Sequence, residues 1–284
     1  MDRAALLAEC ESLRAQYRVH DQGQLLVHPD WEPLLSLLGR PSLADWLPSP
    51  SHDSSEQPVR QIKNRSTTRL PLPGPIAGHS SIYIKRFGPL PWTEWVKAAV
   101  RLTYPPVDGA APEFLALLLF QVLKIPTLQP VLFGQSDSGS VLVTAGLETH
   151  RDVKQLVADQ ALPESRRRRL SSELATAVRR MHAAGFHHQD LYLNHLLYDP
   201  SRSGGDWRLI DLGRVQSMPW LRSRWLLKDL AQLNYSADKL SPIERLRFLR
   251  QYLDRPFTAA DRFWIRRILA KSARIRRHTD RHGL

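Results

Sequence analysis

Two carboxylates in the second half of the chain have the spacing that a phosphoryl-transfer reaction requires. Asp190 follows a helix-like run within GFHHQDLYLNHLLYD, and Asp211 ends the apolar stretch WRLID, with the turn PSRSGGD between them. In such a reaction one acid orients or accepts the proton of the attacking hydroxyl, and the other holds Mg²⁺ against the triphosphate. Each acid alone is more often part of a polar turn or a strand end. Together, at a separation of 211 − 190 = 21 residues, they favour a catalytic pair.

A histidine occupies the position where a second metal ligand is expected. In the kinase signature His-Arg-Asp-Leu-x-x-x-Asn, the asparagine lies five residues after the catalytic aspartate. The residue at that position here is His195. A neutral imidazole can bind a divalent metal, although Mg²⁺ prefers oxygen ligands. Asn194 is the neighbouring candidate, but in an extended segment its side chain would point to the other side.

Phosphoryl transfer also needs a lysine for the phosphates and a helix carboxylate that holds it. Lys85 ends the strand-like IYIK, which mimics the VAIK signature, and Glu113 opens the next long helix. The alternative is a solvent-exposed lysine and an ordinary acidic residue at a helix N-terminus. A glycine-rich phosphate loop is missing, because KNRSTTR stands in its place. Ser66 and Thr67 are the candidates for offering backbone N–H groups and hydroxyls to the phosphates there.

The chain around Lys85 and Glu113 has the pattern of a small sheet with one helix. Residues 66–87 form two extended segments around a Pro/Gly turn and predict a hairpin. A helix is predicted from Pro112, which suits a first helical turn, to a stop at Pro126. QPVLFG and GSVLVTAG add two short strands. Residues 50–59, by contrast, are polar and indicate a linker or an entry loop.

Beyond residue 150 the pattern becomes mainly helical. Leu170, Leu174, Val178 and Met181 recur at helical spacing, and Gly185 lies where a C-terminal cap is expected. HLLYD and WRLIDLG then predict a pair of strands. We therefore predict an α+β fold with a small β-rich N-lobe and a larger helical C-lobe. The predicted division is 1–55 for an N-terminal helical extension and linker, 56–148 for the N-lobe and 149–284 for the C-lobe.

The composition predicts a globular protein without a membrane-spanning helix. The 284 residues are 42% apolar and 24% charged, and Cys10 is the only cysteine, which excludes an internal disulfide. The longest apolar run, FLALLLFQVL, is about half as long as a membrane-spanning helix. The N-terminus lacks the apolar core of a secretory signal, so a cytoplasmic location is expected.

The formal charge of +12 fits nucleic acid, phosphate groups or an anionic membrane face. Nucleic acid is not expected, because the chain has neither zinc-ligand spacing nor an aromatic RNA-binding motif. The oligomeric state does not follow from the sequence.

These motifs closely resemble one family, the bacterial lipopolysaccharide core heptose kinases of the Kdo/WaaP type. That family pairs a His-Arg-Asp-Cys-Tyr-x-x-His loop with Ile-Asp-Leu-His-Arg-Ala-Gln, and the chain has HHQDLYLNH and LIDLGRVQ. The shared Tyr192 and His195 are features that ordinary protein kinases lack. The resemblance also includes IYIKRF and RSRWLLKDLAQLNYS, and it covers roughly residues 60–255.

The resemblance implies a protein-kinase-like fold and a set of residue roles. By it, Asp190 is the catalytic base, His195 and Asp211 are metal-site residues, Lys85 and Glu113 act at the phosphates, and Asp229 is a structural acid. The implied reaction moves the γ-phosphate of ATP, with Mg²⁺, to a heptose or Kdo hydroxyl of the lipopolysaccharide inner core. A related envelope glycolipid is a further possible acceptor. The implied location is peripheral, at the cytoplasmic face of the inner membrane, where a basic surface suits anionic lipid.

Gln189, the missing glycine-rich loop and His195 depart from the kinase pattern and leave alternatives open. Gln189 replaces the arginine that pairs with a phosphorylated activation loop in regulated kinases, so we predict no such switch. Gly213 replaces the family's histidine and restores an Asp-x-Gly form. A catalytically silent scaffold with a kinase fold is the main alternative function. A protein kinase is less favoured, because only 229 − 211 = 18 positions separate Asp211 from Asp229 and no Ala-Pro-Glu anchor is present.

Overall fold

The computed structural model describes residues 3–47, 55–62, 64–89, 109–202, 205–217 and 221–282, together with residues 93 and 96. In these residues the α-helices are α1 (Arg3–Arg14), α2 (Pro33–Leu38), α3 (Leu43–Trp46), α4 (Ala110–Val122), α5 (Val153–Ala158), α6 (Glu164–Ala183), α7 (Arg222–Ser236), α8 (Pro242–Leu253) and α9 (Asp261–His282). The strands are β1 (Arg18–His20), β2 (Leu25–Val27), β3 (Gln57–Ile62), β4 (Arg65–Ile76), β5 (His79–Phe87), β6 (Pro130–Ser136), β7 (Gly139–Ala145), β8 (Arg151–Asp152), β9 (Phe186–His187), β10 (Leu196–Asp199), β11 (Asp206–Leu209) and β12 (Gln216–Ser217).

The chain divides into two compact units. The N-terminal unit comprises Asp2–Val122 and Leu128–Glu148, and the C-terminal unit comprises Leu123–Thr127 and Thr149–Leu284. A sheet dominates the first unit and helices dominate the second, so the predicted α+β order is confirmed. The division at positions 55 and 56 within the first half stays a prediction.

A seven-stranded antiparallel sheet forms the N-terminal unit, in the order β1-β2-β6-β7-β5-β4-β3. The predicted β4–β5 hairpin is present, and Ile82 and Ile84 lie in the core as the alternation indicated. The turn itself lies at Ala77 and Gly78, which both have positive φ. That conformation is typical of a tight two-residue hairpin turn. The preceding Pro/Gly segment remains within β4, where the register is irregular.

The first 30 residues contribute strands that the sequence did not indicate. β1 and β2 pair with each other, and β2 pairs with β6 inside the large sheet. Each has only three residues, which is too short for a two-residue period to be recognised. Further along, the stretch expected to be a linker partly becomes the edge strand β3 from Gln57 onward, while residues 48–54 lie outside the described residues.

A buried ionic cluster lies on one face of this sheet. Glu56 accepts hydrogen bonds from Arg86 at both carboxylate oxygens, at 2.7 and 2.8 Å, and from Thr68 and Arg40 at 2.7 and 2.9 Å. Arg86 also donates to the Trp46 carbonyl at 2.6 Å. Burial raises the pKa of Glu56, but the hydrogen bonds from Arg86 and Thr68 outweigh it and lower the pKa. The cluster therefore joins Glu56, which immediately precedes β3, to β4, β5 and α3.

The C-terminal unit combines small antiparallel sheets with packed helices. β10 lies between β11 and β8, and β9 pairs with β12. Helix α6 packs against α8, and α7 packs against α9. The helical pattern predicted around Leu174 lies within α6 with its apolar residues buried, and the predicted strand pair corresponds to β10 and β11. No described helix is long and apolar enough to cross a membrane.

Candidate active site

The loop that carries Asp190 begins where helix α6 ends. Gly185 follows the helix with φ of +84°, a left-handed conformation that glycine adopts without strain and that commonly ends a helix. β9 then pairs with β12, and this pairing holds Phe186 and His187 just ahead of the loop. The predicted cap at Gly185 therefore sets the direction in which the chain enters the site.

One face of helix α7 holds this loop by its backbone. Asp229, Gln232 and Ser236 recur at three- and four-residue intervals, so they lie on the same helix face. Gln232 Oε1 accepts from the Leu191 amide at 3.3 Å, and Ser236 Oγ accepts from the Leu193 amide at 2.9 Å. The loop has little regular structure of its own, so these side chains satisfy amides that would otherwise be buried without partners.

Asp229 is the central anchor and is completely buried. Its carboxylate accepts from the amides of His188 and Gln189, both at 2.8 Å, and from His182 Nε2 at 3.1 Å. Burial raises the pKa of Asp229, but the hydrogen bond and charge of His182 outweigh it, so the pKa lies below its ordinary value. This anchoring holds Gln189 at φ of +66°, which is uncommon for a residue with a side chain.

Asp190 itself is partly accessible and contacts a cation. Arg214 Nη1 lies 3.0 Å from one carboxylate oxygen and 3.3 Å from the other. The Gln232 amide donates to the Tyr192 hydroxyl at 3.0 Å and lies 3.5 Å from the Asp190 carboxylate. The carboxylate is thus oriented by groups from two other segments. A general base needs this kind of fixed geometry near the hydroxyl proton that it accepts.

The geometry of His195 identifies which ring nitrogen carries a proton. Nδ1 lies 2.8 Å from the Asp190 carbonyl oxygen, which can only accept, so Nδ1 donates. Nε2 faces the Asp211 carboxylate at 3.7 Å. In the neutral ring both facing atoms would be acceptors, and a proton or a metal ion between them would relieve the repulsion. A shared cation site at His195 and Asp211 fits these donor types.

Two local features bring His195 and Asp211 together, although they lie 211 − 195 = 16 residues apart along the chain. Leu196 pairs with Leu209 in the β10–β11 ladder, and the Ile210 amide donates to the His195 carbonyl at 2.9 Å. Asp211 follows with φ of +60°, a second strained position beside the loop. Among the described residues, no group of three or more His, Cys, Asp or Glu side chains could hold a metal ion. A metal here would therefore need further oxygen ligands from phosphates and water, as Mg²⁺ usually has.

The N-terminal unit contains the predicted lysine–glutamate pair. Lys85 Nζ lies 2.5 Å from Glu113 Oε1, with only 12% and 2% of the two side chains exposed. The second oxygen, Oε2, is buried and has no hydrogen-bond partner among the described residues. The expectation of an ion pair, as opposed to a solvent-exposed lysine, therefore agrees with the structure.

Ser66 and Thr67 lie in β4, but on opposite faces of the sheet. Thr67 is directly opposite Lys85 in the β4–β5 ladder, whereas Ser66 is opposite Arg86. Directly opposed residues of antiparallel strands project to the same face. The Thr67 hydroxyl therefore shares the Lys85 face, while Ser66 shares the face of the Glu56 cluster. Only the backbone of Ser66 remains a candidate for contact with a ligand on the Lys85 face.

Sequence reasoning missed Arg214 and Gln232 as neighbours of Asp190. Arg214 stands next to the Asp-x-Gly form and belongs to the quoted stretch LIDLGRVQ, so the signal was present but carried no specific role. Gln232 and Ser236 share a helical repeat with Asp229, and that spacing could have identified them as further contacts to the loop. The predicted roles of Asp190, His195, Asp211, Lys85, Glu113, Ser66 and Thr67 stay predictions.

Comparison with known protein sequences gives a consistent family assignment. The model of the lipopolysaccharide kinase (Kdo/WaaP) family matches residues 53–252. The lipopolysaccharide core heptose(I) kinase WaaP of Pseudomonas aeruginosa is 32% identical over 69% of this chain and 76% of its own length. The protein of the same name from Escherichia coli K12 is 28% identical over 79% of this chain and 89% of its own length. Among solved structures, the Rad53 kinase domain with SCD2 gives a TM-score of 0.39 at 12% identity, covering 72% of this chain and 74% of that one.

Proposed function

The chain belongs to the lipopolysaccharide kinase (Kdo/WaaP) family, and from this premise we propose that its acceptor is a heptose of the inner core. The enzyme is a phosphotransferase that uses ATP to phosphorylate a hydroxyl of a lipopolysaccharide core sugar. Heptose is favoured because the similar curated proteins are named heptose(I) kinases. Kdo or a sugar of a related envelope glycolipid is the alternative acceptor.

Asp190 is the general base of this reaction, and the orientation of its carboxylate is the observation that carries the proposed mechanism of phosphate transfer. Arg214 and Gln232 fix the carboxylate, and the Asp229 anchor fixes the backbone immediately before it. The acceptor hydroxyl donates its proton to Asp190 as its oxygen bonds to the γ-phosphorus. Because the carboxylate is held before the acceptor arrives, little reorganisation is needed in the transition state.

His195 and Asp211 fit a Mg²⁺ ion that also binds ATP phosphates and water. The ion would neutralise charge on the phosphate oxygens as the bond to the leaving group breaks. The donor at His195 Nδ1 fixes the ring so that Nε2 faces Asp211, which keeps both ligand atoms directed at the same place. The Asp190 carbonyl that accepts this hydrogen bond thus links the base to the metal site.

Lys85 acts at the ATP phosphates, with Glu113 holding its ammonium group in position. Glu113 occupies one N–H donor of Lys85, so the remaining donors are available to phosphate oxygens. Thr67, on the same face of the sheet, adds a hydroxyl, and Ser66 contributes at most its backbone N–H. These residues bind the ATP phosphates, which a glycine-rich loop binds in other kinases.

The long basic helix α9 supports peripheral association with an anionic membrane face on the cytoplasmic side. Phe263 and Trp264 are exposed on it, and the guanidinium of Arg267 lies 5.4 and 5.2 Å from their ring centroids. Exposed aromatic residues among arginines are typical of helices that lie in the interface of anionic bilayers. Co-sedimentation with phosphatidylglycerol vesicles should fall several-fold in the F263S/W264S variant. Equal binding by the variant would refute this surface.

The decisive experiment measures phosphate transfer to the core glycolipid. Protein, ATP and Mg²⁺ are incubated with dephosphorylated core glycolipid, and mass spectrometry locates the added phosphate on its sugar. Asp190→Ala should lower turnover by a factor of about 10² to 10⁴, as the loss of a general base does. Asp238→Ala, which removes an exposed acid just after the end of α7, is the matched control and should retain full turnover.

The possible outcomes separate the rival functions. A scaffold would transfer no phosphate to the glycolipid and need not bind ATP in a Mg²⁺-dependent manner. A protein kinase would phosphorylate a peptide substrate and leave the glycolipid unchanged. Phosphate on Kdo with none on heptose would replace the proposed acceptor and keep the reaction class.

A further inference from the structure

The loop that carries the catalytic base contains no cationic side chain. Its residues 190–195 are Asp-Leu-Tyr-Leu-Asn-His, without lysine or arginine. During phosphoryl transfer, negative charge is spread over the equatorial oxygens of the transferred group, and cations placed there stabilise the transition state. Arg214 is a cation close to Asp190, but its guanidinium already pairs with the base itself. A second cation beside the loop would have to come from another element.

Helix α7 supplies such a cation at Lys228. This residue lies one helical turn before Gln232, whose amide reaches Asp190 and Tyr192, and next to the anchor Asp229. Its Nζ lies 5.2 Å from the ring centroid of Trp225, three residues earlier on the same helix. A contact of this kind limits the orientations of a lysine side chain and adds a modest stabilisation. The helix that positions the loop therefore also carries an ammonium group on the face of Gln232, and this group interacts electrostatically with Asp190.

The ammonium of Lys228 lacks the partners that a structural lysine would have. No described residue forms an ion pair or a hydrogen bond with Nζ, although the side chain is half-buried. Burial lowers its pKa, and the charges of Asp190 and Asp229, in that order, oppose this effect. A half-buried charge with unused donors costs stability, and such a cost is typical of residues that await a ligand.

We propose that Lys228 contacts the phosphoryl group during its transfer and stabilises the charge on its oxygens. In this step the acceptor oxygen bonds to the γ-phosphorus, the bond from phosphorus to the β–γ bridging oxygen breaks, and ADP leaves with that electron pair. The acceptor proton goes to Asp190. Lys228 keeps its protons and supplies hydrogen bonds and positive charge. This inference rests on the proposed function, because it assigns a further residue to the same reaction.

Lysine variants at position 228 test the assignment directly. Lys228→Met should lower kcat by about 10² to 10³, the usual loss when one transition-state donor is removed. The Kd for ATP measured with Mg²⁺ should change by less than about twofold, because the contact strengthens only in the transition state. Lys228→Arg should recover part of kcat. Lys239→Met, which removes an exposed lysine after the end of α7, is the matched control and should behave as wild type.

A transition-state analogue separates this role from a merely structural one. Binding of ADP, Mg²⁺ and aluminium fluoride should weaken in Lys228→Met by a factor similar to the loss in kcat. An unchanged affinity for the analogue, or a higher KM with normal kcat, would overturn the inference. If Lys228→Met unfolds, the same measurements on the folded Lys228→Arg and Lys228→Gln variants decide, and full kcat in Lys228→Gln would overturn it equally.

The experiments distinguish a failure of the Lys228 assignment from a failure of the proposed function. If wild-type protein transfers no phosphate to the glycolipid, the function itself fails. If wild type is active, Asp190→Ala is inactive and Lys228→Met keeps full kcat, only the role of Lys228 fails.

Discussion

Neighbouring residues of strand β5 form two ion pairs with opposite character. Arg86 faces the core side of the sheet, where its guanidinium donates to Glu56, Thr68 and the Trp46 carbonyl. Lys85 faces the other side, makes one bond to Glu113, and leaves the second oxygen of that carboxylate buried without a described partner. The first pair is saturated, because every guanidinium nitrogen and both carboxylate oxygens have a hydrogen-bond partner. The second pair is unsaturated, because Glu113 Oε2 has no partner among the described residues.

The difference indicates what each pair is for. A buried charge is costly unless its hydrogen-bonding capacity is used, so a saturated cluster stabilises the fold. An unsaturated pair keeps donors for a ligand at some cost in stability. The C-terminal unit repeats this contrast, because Asp229 is saturated by loop amides and His182, whereas Lys228 has no described partner for its ammonium hydrogens. In these two comparisons, the group with the proposed function is the one that keeps unused hydrogen-bonding capacity.

The largest effect on stability is expected from replacing Arg86, the cation of the saturated pair. Arg86→Met leaves the Glu56 carboxylate buried with fewer partners, so the free energy of unfolding should fall by about 3–5 kcal/mol. Urea unfolding measures this change. Arg60→Met, which removes an exposed arginine from β3, should change it by less than about 0.5 kcal/mol. If the two variants are equally stable, the cluster does not have its structural role.

The unsaturated pair should separate activity from stability. Lys85→Met should lower kcat/KM by about 10² to 10³, equivalent to about 3–4 kcal/mol, and should also destabilise the fold because Glu113 is left alone. The Lys85→Met/Glu113→Leu double variant should regain wild-type stability or exceed it, since a buried ion pair can be replaced by apolar side chains. It should remain inactive. Recovery of activity along with stability would contradict a role for Lys85 at the phosphates.

The two units should also respond to acid at different pH. Burial lowers the pKa of His187 from 6.5 to about 4, so as the pH falls the unfolded chain binds this proton first. The protonation of His187 therefore does not affect the free energy of unfolding above about pH 6.5. Between pH 6.5 and 4 it lowers the free energy of unfolding by up to about 3 kcal/mol. The pKa of Glu56 is lowered by hydrogen bonds to its charged form, against the effect of burial. The stability that this carboxylate contributes is lost only as the pH falls below the ordinary value of 4.5.

His187→Leu provides the measurement of this difference. Urea unfolding of the variant and of wild type at several pH values should give a difference in unfolding free energy that grows in favour of the variant between pH 6.5 and 4. Glu56→Gln should alter the pH dependence only below about pH 4.5. A constant difference for His187→Leu would mean that His187 titrates normally in the folded state.

Much of the fold and the candidate residues followed from local pattern. The β4–β5 hairpin, the apolar stripe of α6 and the cap at Gly185 depend on neighbouring residues, whose periodicity and backbone preferences are readable in one dimension. β1 and β2 were missed because three residues carry no period, and the opposite facing of Ser66 and Thr67 appeared only with the strand register.

The sequence by itself determined which chemical groups are present and which short elements carry them, because composition, spacing and local preference act over a few residues. The spacing of those groups was enough to select Asp190, His195 and Asp211 as candidates. Only the tertiary structure decided which charges are saturated, since Asp229 meets its loop amides 40 and 41 positions away and Arg86 meets Glu56 across 30. Contacts over such separations depend on how whole elements pack, and local preference does not encode them.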